Sequence, residues 1–157
     1  MRAIIGWAVG MMVFAAMVGI ASADEWQTDF AKASETAKKE NKFMLLDFSG
    51  SDWCGWCMKL DSEVFKQNEF KTYAKQNLVC VLLDFPKKKA QSAEVKKQNE
   101  DLSRKYGIEG FPTIIVLSPE GELAGKTGYQ PGGAKKYVEN LKQIIDEYKK
   151  DHPDKAK

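Results

Sequence analysis

The chain has 157 residues, 43% of them hydrophobic and 29% charged, with a formal net charge of +2. That is the length of one domain and the composition of an ordinary globular protein, which excludes a disordered, fibrous or many-domain chain. Lysines are interleaved with acids along the chain, so the charge reads as a solvated surface, and no nucleic-acid partner is expected.

Residues 1–23 stand apart. One cation, Arg2, precedes an apolar run from Ala3 to Ile20, which closes on Ala21-Ser22-Ala23. The small-x-small ending marks a signal peptide cut after Ala23. The alternative is an uncleaved membrane anchor, because about 20 apolar residues span a bilayer. Under both readings Arg2 stays inside and Asp24 onward is exported. The domain is expected over 24–150, with 151–157 a polar tail.

In the exported part, Trp26, Phe30, Ala33 and Ala37 recur at helical spacing, so 24–42 reads as an amphipathic helix. "FMLLDF" (43–48) is a short apolar run of the kind buried on both faces of a sheet. "SGSD" (49–52) is turn chemistry. From Cys54 the pattern turns helical, with Trp56, Leu60 and Val64 on one side, and Asn68 is placed to cap a further helix over 69–76. "LVCVLLDF" (78–85) is a second strand, stopped by Pro86. A charged loop and a helix ending at Gly107 follow. "TIIVLS" (113–118) is a third strand, and after the turn "PEG" the stretch 122–129 is a fourth, antiparallel to it. Residues 134–149 form a closing amphipathic helix. Strands alternating with helices imply a parallel sheet, to which the terminal hairpin adds an antiparallel strand. The fold class is α/β, a mixed central sheet with helices on both faces.

The chain has three cysteines, Cys54, Cys57 and Cys80. An odd count rules out a disulfide-framework mini-protein. Cys54 stands where a strand and a polar turn hand over to a helix, close to free backbone N–H groups and the positive end of the helix dipole. Such a place lowers a thiol pKa from about 8.5 to roughly 3.5–7.5. Cys57, one turn on, faces the same side and can attack a mixed disulfide at Cys54. The pair therefore suits thiol–disulfide exchange, with Cys54 as nucleophile and Cys57 as resolving thiol. Three other readings compete. A zinc site needs about four ligands, and only Cys80 and His152 remain as Cys or His candidates, so no metal is expected. A structural disulfide over one turn closes too small a loop to stabilise much. A peptide-binding or chaperone-like module without redox turnover would have little need of both thiols. Cys80, in a strand, reads as a small hydrophobe.

"MLLDFSGSDWCGWC" resembles the thioredoxin pattern of strand, Asp, turn and Trp-Cys-Gly-x-Cys. "KYGIEGFPTIIVL" (105–117) is similar to the thioredoxin segment around its cis proline, and "GKTGY" (125–129) to the neighbouring Gly-containing strand. The resemblance runs from about Phe43 to the last helix, and "KLDSEVFKQNEFKTYAKQNLVCVLLDFP" looks most like exported bacterial thioredoxin-like proteins. It implies a thioredoxin fold and a periplasmic thiol–disulfide oxidoreductase. It also implies a cis Pro112 that turns Phe111 and Thr113 toward an extended substrate chain. By the same resemblance Asp47 is the buried carboxylate that takes the Cys57 proton. Two departures stand out: the Asp47–Cys54 segment is one residue longer than the pattern, and Trp56 replaces its proline. Trp53, Gly55 and Trp56 would form the substrate surface around Cys54. The expected partners are proteins carrying disulfides or thiols and an unidentified redox partner. No cofactor is expected, and the protein is expected to act as a monomer.

Overall fold

The computed structural model describes residues 26–154. The expected export segment therefore lies outside the described residues. The elements are α1 (Phe30–Glu40), β1 (Phe43–Ser49), α2 (Gly55–Leu60), α3 (Asn68–Asn77), β2 (Leu78–Asp84), α4 (Ala93–Lys105), β3 (Thr113–Leu117), β4 (Leu123–Thr127) and α5 (Gly133–Asp151). A π-helical turn over Asp61–Phe65 extends α2.

The four strands run in the order β2-β1-β3-β4. β1 is central and buried along its whole length, which is why its sequence is nearly all apolar. Its alternating side chains feed two cores. Phe43 and Leu45 meet α2, α3 and α5 through residues such as Leu60, Phe70, Tyr137 and Leu141. Met44, Leu46 and Phe48 meet α1 and α4 through Ala33, Ala37 and Leu102. α5 buries Ala134, Tyr137, Val138, Leu141, Ile145 and Tyr148, a continuous stripe at helical spacing.

Several boundaries differ from the sequence reading. α1 starts at Phe30, because the Asp29 carboxylate caps it by accepting from the Lys32 N–H. Gln27, expected to be helical, instead bridges Val81 in parallel and extends the sheet past β2. Its N–H donates to the Cys80 carbonyl, and its carbonyl accepts from Leu82. Asn68 is the first residue of α3 and does not cap it; Gln67 holds that position, with no side-chain cap bond. α5 runs on to Asp151, one residue into the stretch read as tail.

The largest correction concerns β3. β1 and β2 are parallel, but β3 is antiparallel to β1. The register supplies the reason. β2 ends at Asp84 beside Ser49, and β3 begins at Thr113 beside Phe48. The connection through α4 leaves and re-enters the sheet at the same end, so the chain has to run back. That end carries the cysteine pair.

Candidate active site

The turn after β1 is fastened before the cysteines begin. Ser51 donates its N–H to Asp84 Oδ1 at 2.9 Å and its hydroxyl to Asp84 Oδ2 at 2.6 Å. The Gly50 carbonyl accepts from the N–H groups of Trp53 and Cys54. A Cβ on Gly50 would lie 2.5 Å from the Trp53 ring, so glycine alone admits the indole there. The indole N–H donates to the Phe85 carbonyl at 2.7 Å.

Cys54 is the N-cap of α2, in extended backbone, and its sulfur accepts from the Cys57 N–H at 3.2 Å. This is the placement at which a helix end stabilises a thiolate. Cys57 lies one turn on, and the two sulfurs are joined in a disulfide. Cys54 and Cys57 are only 7% and 5% exposed in this oxidised state, against 37% for Trp53 and 57% for Trp56. Trp56 therefore leaves the buried side of its helix, unlike Leu60 and Val64. Its ring tilts against Tyr129 at 5.0 Å between centroids. Lys59 lies over both rings, and the Tyr129 hydroxyl donates to Glu63 at 2.8 Å. A Cβ on Gly55 would meet nothing within 4 Å, so the helix start is open between the two tryptophans.

The second wall comes from the loop before β3. The Phe111–Pro112 peptide bond is cis. The Phe111 ring packs edge-on against Trp53 at 5.7 Å. Thr113 is buried, pairs with Phe48, and donates its hydroxyl to the Gly110 carbonyl at 2.7 Å.

Asp47 lies beneath. It shares the β1 face of Phe43 and Leu45, so it points toward α2. Asp47 and Cys57 line one cavity of about 240 Å³, together with Trp26, Ser49, Met58 and Asp61. Asp47 Oδ1 is buried and has no hydrogen-bond partner. Burial, with smaller contributions from the Asp61 and Asp84 carboxylates, pushes the Asp47 pKa up to about 8. A carboxyl so placed holds a proton at neutral pH and can exchange it in the cavity it shares with Cys57. Although the Asp47–Cys54 segment is one residue longer than the pattern, the carboxylate shares a cavity with Cys57. Cys80 lies on β2 opposite Leu45, and burial pushes its thiol up to about 12. A thiol of that kind is inert. Among the described residues no cluster of His, Cys, Asp and Glu is arranged to hold a metal.

Sequence reasoning missed two acids. Asp61 follows Cys57 by four residues, a helical spacing that could have placed it on the same face. Asp52 accepts from three successive backbone N–H groups, those of Lys87, Lys88 and Lys89, at 2.9, 2.7 and 3.1 Å. Only the tertiary pairing of β1 with β2 brings those segments together.

A sheet of this order, with a CxxC capping the helix after its central strand, defines a thioredoxin-fold thiol–disulfide oxidoreductase. Residues 30–145 match the thioredoxin-like domain family, and the chain belongs to it. It is 36% identical over 121 residues to "Disulfide bond reductase DsbH" of Chlamydia pneumoniae, covering 77% of this chain and 72% of that protein. It is 33% identical to "Thioredoxin-related protein DsbJ" of the same organism, covering 68% of this chain but only 33% of that protein. A solved structure titled "DsbH Oxidoreductase" superposes with a TM-score of 0.74 at 35% identity, covering 78% of this chain and 84% of that one.

Proposed function

We propose that the protein is an exported enzyme that exchanges disulfides with folded or unfolded protein substrates, with Cys54 as nucleophile and Cys57 as resolving thiol. The observation that carries this is Cys54 at the N-cap of α2, with Cys57 bonded to it and exposed tryptophans on either side. In the reduced protein the Cys54 thiolate attacks one sulfur of a substrate disulfide. A protein–substrate S–S bond forms, and the other substrate sulfur leaves as a thiolate. Cys57 then loses its proton, to Asp47 in the molecules where that carboxyl is ionised, and its thiolate attacks Cys54, releasing the second substrate sulfur, which takes up a proton. Two electrons pass to the substrate, and the Cys54–Cys57 disulfide is the product state. A redox partner with a dithiol restores the reduced form. The name of the Chlamydia relative supports the reducing direction.

Trp53, Gly55, Trp56, Phe111, Pro112 and Thr113 form the docking surface in this reading. Phe111 beside Trp53, next to the cis Pro112, supports pairing of the substrate main chain with this loop. Export and a periplasmic site of action rest on residues 1–23, which lie outside the described residues. No helix among the described residues is long and apolar enough to cross a membrane.

The test is the Cys57→Ser variant, expressed with its own leader. Its Cys54 forms mixed disulfides that no neighbouring thiol releases, so reducible adducts should accumulate on non-reducing gels. Limiting iodoacetamide should label Cys54 of the reduced wild-type protein before Cys57. Reactive Cys54 with no adducts would reject disulfide exchange with proteins and leave a peptide-binding module as the better reading.

A further inference from the structure

The loop Pro86–Lys89 carries three consecutive lysines, and in a solvated surface loop their positions would be unconstrained. Here they are fixed against the active-site turn at four points. The Asp52 carboxylate holds the backbone N–H groups of Lys87, Lys88 and Lys89. The Trp53 indole holds the carbonyl of Phe85, just before the loop. The Lys87 ammonium lies 4.0 Å from the centroid of the Trp53 ring. The Lys89 ammonium reaches the Ser51 hydroxyl at 3.4 Å.

All three lysines are exposed. The ion pairs found among the described residues involve Lys32, Lys42, Lys59, Lys66, Lys97 and Arg104, and none uses these lysines. The nearby carboxylates are engaged elsewhere, Asp52 by backbone N–H groups and Asp84 by Ser51, although Asp52 also attracts the Lys89 ammonium. Three exposed cations thus gather beside Trp53, the residue that precedes the nucleophile, with Lys87 held over its ring and Lys89 at Ser51.

We infer that Lys87, Lys88 and Lys89 form a specificity rim that selects polypeptide substrates with acidic residues flanking the attacked cysteine. The inference rests on the disulfide-exchange reading and names its substrate class. Fixing the loop backbone lowers the cost of presenting these charges together, and an exposed cationic cluster beside a reactive group raises the encounter rate of anionic partners.

Two synthetic peptides test this. Each carries one intramolecular disulfide, and they differ only in having aspartates or lysines beside the cysteines. The reduced full-length protein is mixed with each, and its oxidation is followed by tryptophan fluorescence as the peptide becomes a dithiol. At low ionic strength the acidic peptide should react about tenfold faster or more, and the ratio should collapse near molar salt, where the screening length is about 3 Å. The triple variant Lys87→Gln, Lys88→Gln, Lys89→Gln should bring the two rates together. Equal rates in the wild-type protein, a preference untouched by salt, or a preference that survives in the triple variant would each overturn the rim. Bis(2-hydroxyethyl) disulfide, which is small and neutral, serves as the control. Its oxidation of the wild-type protein with equal peptide rates rejects the rim alone. No reaction with any of the three disulfides rejects the exchange reading and the rim with it.

Discussion

At the scale of single residues, the group with the clearest pH signature is a buried carboxyl with one oxygen lacking a hydrogen bond. Asp47 has an orphaned oxygen, two further acids near it, and a pKa pushed up from 3.8 to about 8. Below pH 3.8 the carboxyl is neutral in both folded and unfolded chains. Between 3.8 and about 8 the unfolded chain ionises while the folded one keeps its proton. The folded state then binds more protons, so stability falls as pH rises through that window and levels off above it. The oxidised Asp47→Asn variant should lack this fall. It should be more stable than wild type at pH 9, by an amount on the order of a few kcal/mol, and closest to it at acid pH. Asp61→Asn should keep the fall but end it at lower pH, because one neighbouring negative charge is gone. Urea denaturation across pH reads both variants. Parallel pH profiles for wild type and Asp47→Asn would remove Asp47 from any proton-transfer role.

At the scale of elements, the turn between β1 and α2 sets the position of both cysteines. It is held by Asp84 from β2, by Gly50, and by the seat of the Trp53 indole. Gly50→Ala should be costly because the ring it meets cannot swing away without losing its bond to Phe85. Overpacking of this kind costs about 1–3 kcal/mol, and a thermal melt should show the loss. The same variant should also raise the exposure of Trp53, visible as a red-shifted emission. An unchanged melt and spectrum would show that the turn has slack. The π-helical turn after α2 has a comparable role: it begins at Asp61, which lines the cavity, and ends at Phe65, which joins the core.

At the scale of the whole molecule, the segment just after the expected export signal belongs to the fold. Gln27 extends the sheet edge beyond β2, and Trp26 packs on Phe65 and Phe70 at 4.9 and 6.4 Å while lining the cavity of Asp47 and Cys57. The middle of the β2 edge, from Cys80 to Leu82, is thereby occupied, which blunts strand-to-strand association there. Trp26→Ala should open that cavity to water and remove a large ring from two aromatic neighbours. A loss of about 2–4 kcal/mol is expected, below the full cost for a buried tryptophan because the ring is partly exposed. It should also return the Asp47 pKa toward 3.8, since desolvation is the main cause of its shift. A stable variant with the pH profile of wild type would exclude Trp26 as the cover of the site.

The sequence alone determined the order and kind of the main elements, since their apolar periods are local and strong. It located the cysteine pair at a strand-to-helix turn, because turn residues and an onset of helical spacing can be read over a few positions. The resemblance to thioredoxin picked out Pro112 and Asp47. Tertiary structure alone decided the direction of β3, because both ends of the α4 connection had to meet the same end of the sheet. It alone placed Gln27 in the sheet, against the helical spacing of its neighbours, since an unpaired strand edge was available to it. It turned Trp56 outward, although Trp56 shares a helical stripe with Leu60 and Val64, and set its ring against Tyr129 and under Lys59. And it joined Asp52 to three lysine amides more than thirty residues away. No local pattern encodes such a contact, because it exists only once β1 and β2 have paired and brought their C-terminal ends side by side.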